Sequence, residues 1–325
     1  MKPKFFSKIA VSVMMIATIG ITAQPHDDNP TPGDVYVAGY VYDASTSKYY
    51  ATLWKNGVRQ DLTDGTSRAA ALSVFVSGND VYVAGSDDGK PVLWKNGVRQ
   101  DLTDGTNSAY ASSVFVSGND VYVAGKDGND VVLWKNGVKQ TLPSTGYPYA
   151  SASSVFVSGS DAYVAGSVFE CEGNIEEGSA ALWKNGVRQD LIDCTNFSYA
   201  SSVFISGSDV YVAGNMDDDG YKPVLWKNSV AQILPTAGDG GDASSVFVSG
   251  SDVYVAGSDS SGVVIWKNGV KQVLSDNGYA HSIYVSGNDV YVAGRYDNIK
   301  PVLWKNGVGQ TLANGGEAYS VFVVE

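Results

Sequence analysis

A four-residue phrase, Leu-Trp-Lys-Asn or its Ile variant, carries all seven tryptophans of the 325-residue chain: Trp54, Trp94, Trp134, Trp183, Trp226, Trp266 and Trp304. A second phrase, of the Val-Tyr-Val-Ala-Gly type, also occurs seven times. Its tyrosines stand at 36, 82, 122, 163, 211, 254 and 291, so successive copies lie 37 to 48 residues apart. A third phrase, Ser-Val-Phe-Val-Ser-Gly with small variations, fills six places and ends the chain as an altered seventh copy, Ser-Val-Phe-Val-Val-Glu. A repeat of this length is one supersecondary unit. It cannot bury its apolar face alone and must stack on its neighbours.

Each unit reads as four short strands. In the second unit they are A (residues 73–78), B (80–85), C (91–96) and D (98–102). Asn96-Gly97 between C and D is a two-residue hairpin signal, and Ser77-Gly78-Asn79-Asp80 is a second tight turn. Helix signals are absent. The 37 glycines, 20 tyrosines and abundant valine agree with a β-rich globular chain. Val74, Phe75 and Val76 are consecutive apolar residues, as expected of a strand packed on both faces. The expected fold class is therefore all-β: a seven-bladed propeller of four-stranded antiparallel blades. A β-solenoid is the plainer alternative, but its coils are usually shorter and lack paired hairpin turns.

The ends supply the arithmetic for closure. The repeats begin at a strand B (residues 34–39), run through C and D, continue through six full units, and finish with one strand A (320–324). Three strands from the start and one from the end complete a seventh blade. That pairing removes the open edges, and Val-Glu replaces Ser-Gly because no turn follows.

The phrase LWKNGVRQDL, a Gly/Ser-rich loop, and then A-x-S-V-F-V-x-G-x-D-V-Y-V-A-G resemble the HAF-type extracellular repeats of bacteria. The resemblance covers residues 34–325, although the HAF tripeptide itself is missing before Leu-Trp. It implies an exported, propeller-like repeat protein and brings no catalytic residues with it.

Residues 1–23 have a basic start at Lys2, Lys4 and Lys8, an apolar run from Ile9 to Ile21, and small residues at Thr22 and Ala23. They read as a cleaved secretory signal, with the run short for a membrane span. Residues 24–33 read as a flexible leader, and residues 34–325 as the propeller. The expected location is secreted, periplasmic or at the cell surface, as a monomer. Cys171 and Cys194 fall in two loops of one blade, and an oxidising compartment favours a disulfide between them.

In an up-and-down blade the A–B and C–D turns share one rim, and the B–C and D–A loops share the other. The first rim is monotonous, with Ser-Gly-Asn/Ser-Asp and Lys-Asn-Gly/Ser-Val in nearly every copy. Each strand B begins with Asp (34, 80, 120, 161, 209, 252, 289) and each strand C ends with Lys (55, 95, 135, 184, 227, 267, 305), so each Asp can face its Lys. Such surface pairs contribute about 0–1 kcal/mol each. The second rim varies from blade to blade and carries the acidic surplus behind the net charge of −12. Loops on a rigid scaffold carry function, and an acidic rim disfavours nucleic acid and anionic membranes. Its partner would be a protein or a glycan. The alternative is that acidic loops serve solubility alone.

Seven tryptophans at one place in strand C point to packing between blades rather than a sugar platform. Just before each strand A stands an Ala: 71, 111, 152, 200, 243, 280 and 318. The residue ahead of it is Ala70, Tyr110, Ser151, Tyr199, Asp242, Tyr279 or Glu317; the residue after it is Leu72, Ser112, Ser153, Ser201, Ser244, His281 or Tyr319. Tyr110, Tyr199, Asp242, Tyr279, His281, Glu317 and Tyr319 thus converge on the channel mouth. That combination suits polyols or amines, with ordinary loop packing as the alternative. Asn215, Asp217 and Asp219 space oxygen ligands like the start of a calcium loop, but the terminal acidic ligand is missing, and a solvated acidic turn is the simpler reading. The only histidines are His26 and His281, and no zinc spacing, nucleophile elbow or phosphate loop occurs. Three functions remain: a non-enzymatic binding scaffold using the variable acidic rim, a carbohydrate-binding lectin-like propeller, and a hydrolase or lyase with its site at the channel mouth.

Overall fold

The computed structural model describes residues 29–104, 108–144, 150–168, 178–192, 197–217 and 220–325. The residues read as a signal, half of those read as a leader (24–28), both cysteines and Asp219 lie outside these residues. Among the described residues there are 28 strands, β1 to β28 in chain order, and no helix. They form seven four-stranded antiparallel sheets. Blade two shows the plan: β4 (Ala69–Ser77), β5 (Asp80–Asp87), β6 (Lys90–Lys95) and β7 (Val98–Asp101), paired in that order from the inside outward.

The closing blade joins the two ends. Its strand order is β28 (Gly316–Val323), β1 (Val35–Asp43), β2 (Lys48–Lys55) and β3 (Val58–Asp61), with Val35 opposite Val323 and Val37 opposite Val321. Gly33 N–H donates to Val324 O and Val324 N–H to Asp34 O, extending the seal past the last ladder pair.

Turn chemistry follows the repeated residues. The C–D turns hold Asn at φ 50° to 52° followed by a residue at positive φ, which is Gly in six copies and Ser229 in the other; this is the type I′ hairpin. The A–B turns place Gly first at φ 57° to 60°, as type II′ requires. Each turn Asn also works as a clamp. Asn96, for example, donates Nδ2–H to Asp80 Oδ1 at 2.7 Å and accepts the Val81 N–H at 2.8 Å. All seven Asp–Lys pairs form, at 2.7 to 3.1 Å.

The core lies between blades. All seven tryptophans are buried, and each packs against side chains of the preceding blade. Strand A departs from the expectation of burial on both faces. Val74 and Val76 are buried between blades, whereas Phe75 is only partly covered. It belongs to a closed ring of seven aromatics, Phe75, Phe115, Phe156, Phe204, Phe247, Tyr284 and Phe322, whose neighbouring centroids lie 4.7 to 5.2 Å apart. Their interplanar angles, 45° to 54°, match one-seventh of a turn, so the rings stand parallel to the axis. At that spacing they must turn edges rather than faces inward. Above this collar runs a belt of seven serines. Each accepts the backbone N–H of the next blade's inner strand at 3.1 to 3.2 Å, beginning with Ser73 and Val114 and ending with Ser320 and Val74.

Candidate functional site

The inner strands hold one residue more than the strands they pair with. In blade two Ala71 pairs with Gly85 and Ser73 with Ala84, so Leu72 is left out of the ladder. The same shift occurs in all seven blades, at Leu72, Ser112, Ser153, Ser201, Ser244, His281 and Tyr319. A bulge of this kind re-aims a side chain. All seven bulged residues line one cavity of about 470 Å³ at the channel mouth.

The bulge also explains two invariant small residues. The Ala before it is buried in every blade. The Gly that closes Val-Tyr-Val-Ala-Gly faces the carbonyl of the residue ahead of that Ala. A Cβ on Gly166 would lie 2.0 Å from Ser151 O, and the other six glycines stand in the same relation. Only glycine lets the bulged strand approach this closely.

Above the bulged ring lies a second tier. Tyr110, Ser151, Tyr199, Asp242 and Tyr279 line the cavity there. Six of the seven site residues expected from sequence therefore surround one space: Tyr110, Tyr199, Asp242, Tyr279, His281 and Tyr319. Glu317 stands behind them as a support. His281 Nε2–H donates to its Oε1 at 2.7 Å, Arg295 Nε–H donates to the same oxygen at 2.7 Å, and Tyr319 O–H donates to Oε2 at 3.1 Å. Burial alone would push the Glu317 carboxyl up. The hydrogen bond and charge of His281, with the Arg295 guanidinium, outweigh it and hold the carboxyl below its ordinary range. Burial and the Glu317 charge push the Tyr319 hydroxyl up, so it stays a donor.

Across the mouth, Tyr199 O–H donates to Asp242 Oδ1 at 3.0 Å. Burial, aided by the Asp242 charge, pushes the Tyr199 hydroxyl up. Asn215 reinforces this pair. It is fully buried, donates to Gly241 O at 2.5 Å and to Asp242 Oδ1 at 3.2 Å, and accepts the Ala243 N–H at 3.2 Å. Asp217, two residues along the same strand, accepts the Gly220 N–H at 3.1 Å.

Three supporting residues escaped the motif reading: Asn215 in this role, Arg295 and Tyr40. Each follows the last Gly of a Val-Tyr-Val-Ala-Gly phrase and pairs across the ladder with Tyr199, Tyr279 and Glu317 respectively. The Arg295 guanidinium also sits 4.5 Å from the Tyr279 ring centroid. Reading one residue past each phrase finds all three.

The variable rim is less purely acidic than its composition suggests. Strand D cations reach over to B–C carboxylates: Arg99 pairs with Asp87, Lys139 with Asp127 at 2.8 Å and Asp130 at 3.0 Å, and Lys271 with Asp259. Asp87 and Asp259 are buried beneath these partners.

No protein-family model matches the chain, and no curated protein matches it, so the resemblance to HAF-type repeats rests on its motifs. Solved structures do share the fold. The computationally designed protein Ika8 superposes with a TM-score of 0.52 at 16% identity, covering 91% of this chain and 93% of that one. A Mycobacterium tuberculosis puromycin-hydrolyzing peptidase gives 0.58 at 11% identity over 87% of this chain, which spans 52% of the peptidase. The nidogen/laminin complex gives 0.50 at 9% identity, over 90% and 99%. At these identities the likeness is one of fold alone. With seven four-stranded blades closed by its own two ends, the chain is a seven-bladed β-propeller whose structural neighbours include other propeller proteins.

Proposed function

We propose that this is an exported, non-enzymatic binding propeller whose channel mouth takes part of a polyhydroxylated ligand, a glycan. The observation that carries the reading is the bulged ring. It turns four serine hydroxyls, His281 and Tyr319 into one cavity beneath Tyr110, Tyr199 and Tyr279. Ser112 Oγ–H donates to Ala152 O at 2.8 Å and so can only accept, while hydroxyls able to donate and accept, beside aromatic surfaces and a carboxylate, match the alternating polar and apolar faces of a sugar. Below the serines the aromatic collar narrows the channel to an apolar throat, so a polar ligand is held at the mouth and not passed through.

Binding is favoured over hydrolysis because the His281–Glu317 pair is engaged within the wall and Asp242, the one carboxylate lining the cavity among the described residues, has Oδ1 taken by Tyr199 and Asn215. His281 Nε2 is committed to Glu317, and both Glu317 oxygens are occupied. Export rests on the apolar N-terminal run and on the HAF-like phrases. The test is a glycan array followed by calorimetry. Tyr199→Phe and Asp242→Asn are expected to weaken the best glycan about tenfold, as loss of a part-buried hydrogen-bonded pair at a site does. Failure of the folded protein to bind any glycan, or binding indifferent to both substitutions, would refute the reading.

A further inference from the structure

The mouth wall is not equally high all round. Blade two places Ala70 and, across the ladder, Ser86 where other blades place Tyr110 with Lys126, Tyr199 with Asn215, or Tyr279 with Arg295; the pair Ser151 and Ser167 is as small, but only the stretch at Ala70 adjoins a second cavity that reaches Tyr319. Behind this low stretch lies a second cavity of about 380 Å³, lined by Tyr40, Tyr49, Arg68, Ser86 and Asp88 and sharing Tyr319 with the mouth.

Aromatic rings run in file from this cavity into the mouth. Tyr42 and Tyr49 lie 4.7 Å apart, Tyr49 and Tyr40 5.8 Å, Tyr40 and Tyr319 6.0 Å, and Tyr319 and His281 5.3 Å. The outer members come from a hairpin longer than that of blade two: β1 and β2 pair out to Asp43 and Lys48, whereas β5 and β6 end at Asp87 and Lys90. The Arg68 guanidinium lies 5.2 Å from the Tyr49 ring centroid, and no carboxylate pairs with it among the described residues. Its N–H donors therefore face the groove on an aromatic support.

We propose that this groove is an extended subsite and that the ligand is a linear glycan, anchored by one unit in the mouth and leaving over Ala70 between the closing blade and blade two. A single sugar would fill the mouth and leave the file of tyrosines unused. A chain of sugar rings presents repeated apolar faces to such a file, with hydroxyls at its margins for Arg68 and Ser86. The continuity through Tyr319 makes the two cavities one path. This inference rests on the glycan reading of the mouth and adds the length and direction of the ligand.

Calorimetry with cellobiose and cellohexaose, chitobiose and chitohexaose, and xylobiose and xylohexaose separates the two. In the class that binds, the longer saccharide is expected to bind at least about tenfold more tightly than the disaccharide. Tyr49→Ala, at a half-buried ring, and Arg68→Ala, at an exposed side chain, are expected to reduce that advantage about three- to tenfold each and leave the disaccharide unchanged. Equal affinity for long and short saccharides, or a length advantage untouched by either substitution, overturns the subsite. If at the same time Asp242→Asn still weakens disaccharide binding about tenfold, the mouth reading survives. If no saccharide binds the unaltered protein, both fall together.

Discussion

Replacing Phe156 by alanine tests whether the aromatic collar is a packed structural ring. The Phe156 ring touches Phe115 at 4.7 Å and Phe204 at 4.8 Å. Each such pair contributes about 0.5–1.5 kcal/mol beyond area burial. A fully buried Phe→Ala change costs about 3–5 kcal/mol, but one edge of this ring borders the throat, which lowers the transfer part. The expected cost is about 2–4 kcal/mol. Phe156→Tyr supplies the control, because Tyr284 already occupies this place in another blade, 4.7 Å from Phe247 and 5.2 Å from Phe322. Its hydroxyl can point along the throat, so Phe156→Tyr should cost less than about 1 kcal/mol. Guanidinium unfolding followed by fluorescence of the seven buried tryptophans measures both. An alanine variant within about 1 kcal/mol of the parent would mean that the rings line the channel without packing on one another. A tyrosine variant as damaged as the alanine one would mean that blades are not interchangeable at this level.

Two further outcomes follow from the bulge and the lower rim. Gly166→Ala drives a Cβ to 2.0 Å from Ser151 O; it should cost more than about 2 kcal/mol and, by displacing Ser153, weaken ligand binding in what still folds. A thermal midpoint close to the parent's would contradict it. On acidification, the rim carboxylates Asp80, Asp120, Asp161, Asp209, Asp252 and Asp289 are held below the ordinary range by their Lys and Asn partners. Asp34 falls to about 2: burial would raise it, and Asn56, Thr31 and Lys55 outweigh that. Groups with depressed folded values stabilise above the unfolded value of 3.8 and lose that contribution as pH drops through the folded one. The melting temperature should therefore fall between about pH 4 and pH 2, and a flat profile there would show that the clamps add nothing.

The ring closure was legible because strand phase survives at both ends of the chain. A chain that starts at strand B and stops after strand A can complete its last blade in only one way. The Asp–Lys pairing was legible for the same reason, since antiparallel neighbours fix which residues face each other. The clamp role of the turn Asn was hidden, because a left-handed turn already accounts for Asn in Asn-Gly. The bulge was hidden too, although counting reveals it. From Ser77 back to Ala71 is six steps, while Asp80 to Gly85, its pairing partners, is five. Without that count, Ala and Gly read as mere crowding, and the residues after Ala read as ordinary alternation. Phe75 was misplaced by a related omission. An apolar run looks the same whether its middle residue meets a neighbouring blade or six copies of itself around an axis. Asn215 and Asp217 share one face of their strand, and Asn215 bonds inward to Asp242, a role that the oxygen-ligand spacing did not point to.

The bulge also explains how a nearly uniform repeat can hold a single, asymmetric site. Val74, Trp94 and their equivalents are fixed because each packs against the preceding blade. The bulged residue has no ladder partner, and its interblade contacts differ from copy to copy, Ser112 donating to Ala152 O at 2.8 Å and His281 bonding Glu317 at 2.7 Å, so its identity is not tied to the repeat. The differences are ordered around the ring. Ser112, Ser153, Ser201 and Ser244 come from four successive blades and make one hydroxyl arc. His281, Tyr319 and Leu72 come from the next three and make the opposite arc, backed by Glu317 and Arg295. The low wall at Ala70 and the tyrosine file adjoin that second arc. A multivalent lectin with one weak site per blade would repeat the same residues at every bulge. Two unlike half-rings around one cavity instead favour one ligand per chain, held in one orientation, with hydroxyls on one side and rings on the other.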